Sequence, residues 1–174
     1  MIGLDLSVRR AATVYVAVVG AGLVVASAAD VWPLRLMYNA SASVPIGFYA
    51  VSEVDDPAVG DLVVALLPPS SEQLLVERGY IAPAIPVLKH VAARAGQRVC
   101  RVGDVVTFDD RTVAQALDAD DEGRPLPRWS GCRAIGPGKV FLLNAAAPAS
   151  FDGRYFGPVS TTSIIGKATP LWTW

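Results

Sequence analysis

Pro86–Ala93 reads PVLKHVAA, an apolar run broken by one lysine and by the single histidine of the chain. Read as a strand, its period of two places Val87, Lys89 and Val91 on one face and Leu88, His90 and Ala92 on the other. Lys89 is then expected to emerge between two valines. Such a setting disfavours an ammonium and lowers the lysine pKa towards the range of a general base. A lysine guarding an exposed sheet edge would show the same pattern. His90 points to the opposite face on this reading, so a solvent-facing or structural role is expected of it and a Ser/His/Asp triad is not.

The same punctuation recurs on both sides of this stretch. Phe48 to Val51, Asp61 to Leu67, Val99 to Phe108 and Lys139 to Leu143 are short apolar or alternating runs separated by Gly, Pro and Asp-rich turns. Ser71 to Arg78 alone reads as helical, with Ser71 as N-cap before Leu74, Leu75 and Val76. Thirteen prolines and fifteen glycines favour many short strands. The predicted fold class is mainly β, an antiparallel, barrel-like sheet domain with few short helices. At 174 residues the chain holds one such domain and a short appendage.

The appendage is N-terminal. Ala11 to Ala29, AATVYVAVVGAGLVVASAA, carries no charge, and as a helix it would cover roughly 28 Å, close to the bilayer hydrocarbon thickness. Arg9 and Arg10 precede it and Asp30 follows. The positive-inside rule therefore predicts residues 1–10 in the cytoplasm, an anchor at 11–29 and a domain at 30–174 beyond the membrane, with Trp32 at the interface. A cleaved export signal shares the basic start and the small residues Ala26, Ser27 and Ala28, and a buried helix is the third reading, but the run is longer than a signal core. Val31 to Tyr38, with Pro33, reads as a connection. This anchor accounts for an apolar content of 52% beside 18% charged residues. Fifteen basic against sixteen acidic residues leave no polyanion footprint, so nucleic acid is not an expected partner.

Two further stretches carry chemistry. Asn39 to Tyr49, NASASVPIGFY, sets Ser41 and Ser43 among small residues before Pro45 and Gly47. A hydroxyl there would sit on a constrained loop at a sheet edge, the exposed but fixed position a nucleophile needs; ordinary turn chemistry uses the same residues. Ser150 to Pro158, SFDGRYFGP, has Asp152 and Arg154 two apart. On an extended segment both would point the same way and could pair. One histidine and two cysteines complete no typical zinc set, so neither metal nor cofactor is expected. Cys100 and Cys132 form an even count in a domain expected outside the cytoplasm, which favours a disulfide; two buried thiols are the alternative.

Taken in order, these stretches resemble the type I signal peptidases. In that family a nucleophilic serine precedes a Pro-containing turn, a lysine base opens K-x-V-x-x-x-x-G, and a late box contains S-x-D-x-R. The counterparts here are Ser43 before Pro45, Lys89 with Val91 and Gly96, and Ser150 with Asp152 and Arg154. N-x-S-x-S-x-P-x-G-x-Y, GRPLPRWSGCR at 123–133, and SFDGRYFGP followed by IIGKATPL look like the conjugative-transfer, TraF-type branch. Two features depart from the general secretory members. Val44 alone separates Ser43 from Pro45, which keeps Ser41 as the alternative nucleophile, and no G-D-N precedes the late box, where Asn144, Ala145 and Ala146 stand.

The resemblance implies that neutral Lys89 takes the proton of Ser43, which attacks the scissile carbonyl to form an acyl-enzyme. The Ser43 N–H and the Ser41 hydroxyl would form the oxyanion hole. Ser150, Asp152 and Arg154 would support Lys89. It further implies a signal-peptidase-like barrel after one transmembrane helix, no cofactor, an inner-membrane location with a periplasmic site, and a pilin precursor or other exported preprotein as substrate. Water or an amine would resolve the acyl-enzyme, giving hydrolysis or cyclisation. Three function classes follow: a pilin-maturing peptidase, a general secretory signal peptidase, and an inactive envelope scaffold.

Overall fold

The computed structural model describes residues 6–28 and 36–174, in two compact units, Met1–Leu34 and Arg35–Trp174. The first unit is helix α1, Leu6–Ala28. Among the described residues no helix is long and apolar enough to cross a membrane. The expected span at 11–29 falls on α1 except for Ala29, which lies outside the described residues, as do Asp30, Trp32 and Pro33.

In the second unit, neighbouring residues of one strand face two different cores. Val63 and Val64 on β3 (Leu62–Ala65) are both fully buried. Val63 packs with Val91, Val140, Leu142 and Val159, whereas Val64 packs with Val44, Tyr49, Val51 and Leu88. Lys139–Leu143, β9, repeats the device: Val140 and Leu142 join the first of these clusters, while Phe141 and Leu143 face a third, with Val99, Val106 and Trp129. Unbroken apolar runs are what a strand covered on both faces requires. Each valine so buried contributes about 1.5–3 kcal/mol relative to exposure.

The large sheet is antiparallel throughout, in the order β1 (Leu36–Asn39), β2 (Gly47–Ser52), β11 (Ile164–Thr173), β3, β4 (Val87–Arg94), β9 and β10 (Val159–Ser160). A smaller antiparallel sheet runs β7 (Arg111–Gln115), β6 (Val105–Phe108), β5 (Arg98–Val102), β8 (Gly131–Ala134). The third cluster joins the two sheets, with Phe141 edge-on to Phe108 and Trp129. Helices are few in this unit: α2 (Pro69–Glu77), α3 (Gly153–Phe156) and one 3-10 turn at Thr161–Ser163. The domain is mainly β with a curled antiparallel sheet.

Several boundaries differ from the sequence reading. Tyr38, placed in a connection, pairs with Phe48 as part of β1. Val99 to Phe108 is not one strand but the hairpin β5–β6, reversed at Gly103, whose φ of 63° suits glycine. Ser71 is buried inside α2 rather than capping it; Pro68 holds the cap position and Pro69 begins the helix, where a missing N–H costs nothing.

Candidate active site

Residues 40–46 join β1 to β2 and carry both serines. The loop is fixed by Asn39, the last residue of β1, which is buried. Its Nδ2 donates to the carbonyls of Ser41 (2.7 Å), Val44 (3.1 Å) and Pro45 (3.1 Å), and its Oδ1 accepts from the Ser41 N–H (3.2 Å) and hydroxyl (3.1 Å). Tyr49 Oη adds a 2.6 Å bond to the Pro45 carbonyl. Behind the loop β2 meets β11 so closely that a Cβ on Gly47 would lie 2.1 Å from the Trp172 carbonyl oxygen. Held in this way, Ser43 is half-buried, with its Oγ 3.0 Å from that of exposed Ser41.

Lys89 comes from β4, where it shares a face with Val63, its partner on β3, and with Val91. It is 4% exposed. Its Nζ donates to Ser150 Oγ at 2.8 Å. Burial pushes the Lys89 ammonium down to about 8; the Asp152 carboxylate opposes that shift and the Arg154 guanidinium adds to it. His90 is exposed, although Leu88 on the same face of β4 is buried, with Nδ1 3.1 Å from Asn144 Oδ1.

Asp152 and Arg154 do pair, but not across an extended segment. Asp152 is the N-cap of α3 and accepts from the Arg154 N–H. The Arg154 guanidinium then grips both its carboxylate oxygens, Nε to Oδ1 and Nη2 to Oδ2, each at 2.9 Å. Both residues are buried, and the remaining guanidinium donors go to the carbonyls of Ala147, Pro148, Ser150 and Gln115. A buried pair whose donors are all taken up is the arrangement in which two desolvated charges are tolerated. It fixes the Ser150 segment against Lys89.

The serine loop, Lys89 and Ser150 line one cleft of about 960 Å³, with apolar walls that include Ile81, Ile85, Leu126 and Phe151. Among the described residues, the Ser43 hydroxyl bonds to Ser41 and not to Lys89. Cys100 and Cys132, directly opposed on β5 and β8, are bridged.

Two residues without an assigned role in the sequence reading prove central to this geometry. Asn39 was part of the N-x-S-x-S pattern, yet its hydrogen bonds to the loop were not foreseen. Asn144, 3% exposed, donates from its backbone N–H to Asp152 Oδ2 (3.0 Å) and from Nδ2 to the Leu88 carbonyl (3.1 Å), and its Oδ1 accepts the His90 N–H (3.1 Å). It thereby ties the end of β9 to β4 on either side of Lys89. An asparagine ending an apolar strand was the available signal, because a buried amide must find partners.

Comparison with known proteins places the chain in a family. The family model described as "Signal peptidase, peptidase S26" matches residues 8–174. The chain is 34% identical over 174 residues to the "Plasmid transfer protein TraF" of Escherichia coli, covering 93% of this chain and 96% of that protein. It is 36% identical over 146 residues to the "Probable conjugal transfer protein TraF" of Sinorhizobium fredii, with 78% and 76% covered. A crystal structure of a signal peptidase I from Enterococcus faecalis aligns with a TM-score of 0.40 at 18% identity, over 67% of this chain and 100% of that one. With the family model spanning all but the first seven residues, and relatives above 30% identity along most of its length, the chain belongs to the peptidase S26 signal peptidase family.

Proposed function

We propose that this chain is a membrane-anchored serine endopeptidase that uses a Ser43–Lys89 dyad to process pilin precursors for conjugative transfer. One observation carries the chemistry: a lysine buried to 4% exposure, its pKa lowered to about 8, shares a cleft with a serine on a tightly braced loop. A buried ammonium is costly, and a lysine kept there is suited to accept a proton rather than to hold one.

In the reaction, neutral Lys89 takes the proton of Ser43 as Oγ adds to the scissile carbonyl. The oxyanion is received by the Ser43 N–H and the Ser41 hydroxyl, which turns from Asn39 or Ser43 towards it. The intermediate collapses, the peptide C–N bond breaks, and the leaving amine takes the proton from Lys89. Ser43 is left as an ester, the acyl-enzyme. Water resolves it to a free carboxylate, while an N-terminal amine of the precursor itself would give a circular product. The preprotein binds as an extended strand with small residues near the cut.

The conjugative substrate is supported by the TraF relatives. Anchoring in the inner membrane, with the catalytic unit in the periplasm, is supported by the uncharged run at 11–29 behind Arg9 and Arg10, within which Val14, Val16, Val18 and Leu23 are exposed. The test is covalent: the full chain in detergent, given a peptidyl boronate, should form an adduct on Ser43, and Ser43→Ala should form none. A Ser43→Ala chain that still cut a co-expressed pilin precursor would sink the dyad. A reporter fused after Trp174 that was active in the cytoplasm would sink the topology.

A further inference from the structure

Helix α3 is four residues long, and a helix this short satisfies few of its own carbonyls. Two successive carbonyls accept side-chain donors from outside the helix, that of Gly153 in addition to the Gly157 N–H at 2.9 Å. Trp129, two residues before β8, donates its Nε1–H to the Gly153 carbonyl at 3.1 Å. Arg101, on β5 beside Cys100, donates from Nη1 to the Arg154 carbonyl. Its guanidinium also lies over the Tyr155 ring, 5.9 Å from the centroid.

The energetics of Arg101 argue for a directional purpose. It is 1% exposed. Its Nε donates to the Gly103 carbonyl at 3.0 Å, while among the described residues Nη2 finds no acceptor and the group forms no ion pair. A buried cation with only carbonyl partners is expensive compared with an apolar residue of the same volume. Trp129 supplies a counterpart whose ring already packs edge-on to Phe141, so its N–H is separable from its packing.

We propose that Arg101 and Trp129 are positioning residues: from β5 and from the segment leading into β8 they hold the Arg154 and Gly153 carbonyls, and so set the α3 turn that presents Ser150 and the Asp152–Arg154 pair to Lys89. This rests on the dyad reading. The charged groups that act on Lys89 are Asp152 and Arg154, at the start of α3, while His90 lies on the opposite face of β4. A shifted α3 therefore changes the pH at which Lys89 becomes neutral, not only the rate.

The experiment uses the full chain in detergent, a fluorogenic peptide chosen because the unaltered chain cleaves it, and active sites titrated with a peptidyl boronate. Trp129→Phe, which keeps an aromatic ring, though a smaller one, and removes the donor, should lower kcat per titrated site about tenfold, with KM changed less than about twofold. The acidic limb of its pH–rate profile should move by several tenths of a pH unit. Arg101→Met should do the same; if that variant does not fold, Trp129→Phe decides. A Trp129→Phe limb that coincides with that of the unaltered chain overturns the proposal, whatever happens to the rate. Ser43→Ala, run alongside, separates the two readings. If it still cleaves, the dyad falls and the brace falls with it; if it is inert while Trp129→Phe is unshifted, the brace alone falls.

Discussion

The Lys89 ammonium donates its hydrogen bond to Ser150 Oγ at 2.8 Å, not to Ser43. Ser150 thus stabilises the protonated, resting form of the base. With burial holding the lysine at about 8, kcat/KM should rise with pH through that value, because only the neutral amine accepts the Ser43 proton. A pH–rate profile on the full chain checks this. A rate already level from pH 6 to pH 9 would remove Lys89 from the role of base.

The same shift makes Lys89 a thermodynamic burden. The unfolded chain keeps this proton up to about 10.5 whereas the folded chain releases it near 8, so between those values the unfolded state binds more protons and stability rises with pH. Below that window the whole cost is present, on the order of 3 kcal/mol. Lys89→Met should therefore be inactive yet more stable than the unaltered chain at pH 7 by about 1–2 kcal/mol, once the stranded Ser150 hydroxyl is subtracted. The difference should shrink as pH climbs past 8. Urea unfolding at several pH values measures it, and a variant less stable at pH 7 would contradict the argument.

How far the sequence could be read depended on whether a residue's surroundings were local. The alternation of PVLKHVAA was enough to separate Lys89 from His90, and KVFLL marked a strand, because those properties lie within one strand. β11 escaped notice: Gly166 and Pro170 weaken a strand pattern, yet the register shifts near both, and Pro170 lies beyond Lys167, the last residue paired with β3, so its missing N–H is tolerated. The Asp152–Arg154 pairing was anticipated for the wrong backbone, since an N-cap and an extended strand can both bring residues two apart together. Arg101 and Trp129 were illegible as partners of α3, because nothing local in either segment announces a contact across two sheets.

Asn39 should matter to activity more than its distance from the chemistry suggests. Its amide serves five hydrogen bonds within residues 39–45, and Asn39→Ala would strand part of that set in a half-buried loop. Stability should fall by about 1–3 kcal/mol. Turnover should fall by roughly 100-fold, because a nucleophile displaced by an ångström loses its alignment. Thermal melts and single-turnover cleavage separate the two effects, and an Asn39→Ala chain with unaltered turnover would show that the loop needs no such brace.

The Cys100–Cys132 bridge closes a separation of 32 residues in sequence. Reduction should lower stability by about 3 to 4 kcal/mol on the chain-entropy account. In chain isolated from its proposed periplasmic site, alkylation without reductant should label neither cysteine, and quantitative labelling of both would refute the bridge.

Substitution of Ser43, Lys89, Ser41 and His90 in turn ranks their roles. Ser43→Ala removes the atom that becomes acylated, and Lys89→Ala removes the acceptor of its proton, so each should abolish precursor processing. Lys89→Arg should not restore it, because a guanidinium remains protonated at any workable pH. Ser41 contributes one hydroxyl to the oxyanion, and Ser41→Ala should lose on the order of 100- to 1,000-fold in turnover while still forming an acyl adduct. His90 is exposed and touches Asn144 rather than either serine, so His90→Ala should retain most of the activity. Processing assayed with purified full-length chains, beside an adduct measured by mass, distinguishes these outcomes. Were Ser41→Ala dead and adduct-free while Ser43→Ala worked, the nucleophile would be Ser41. Were His90→Ala dead and Lys89→Ala active, the proton would go to an imidazole, and the serine/lysine mechanism would have to be abandoned.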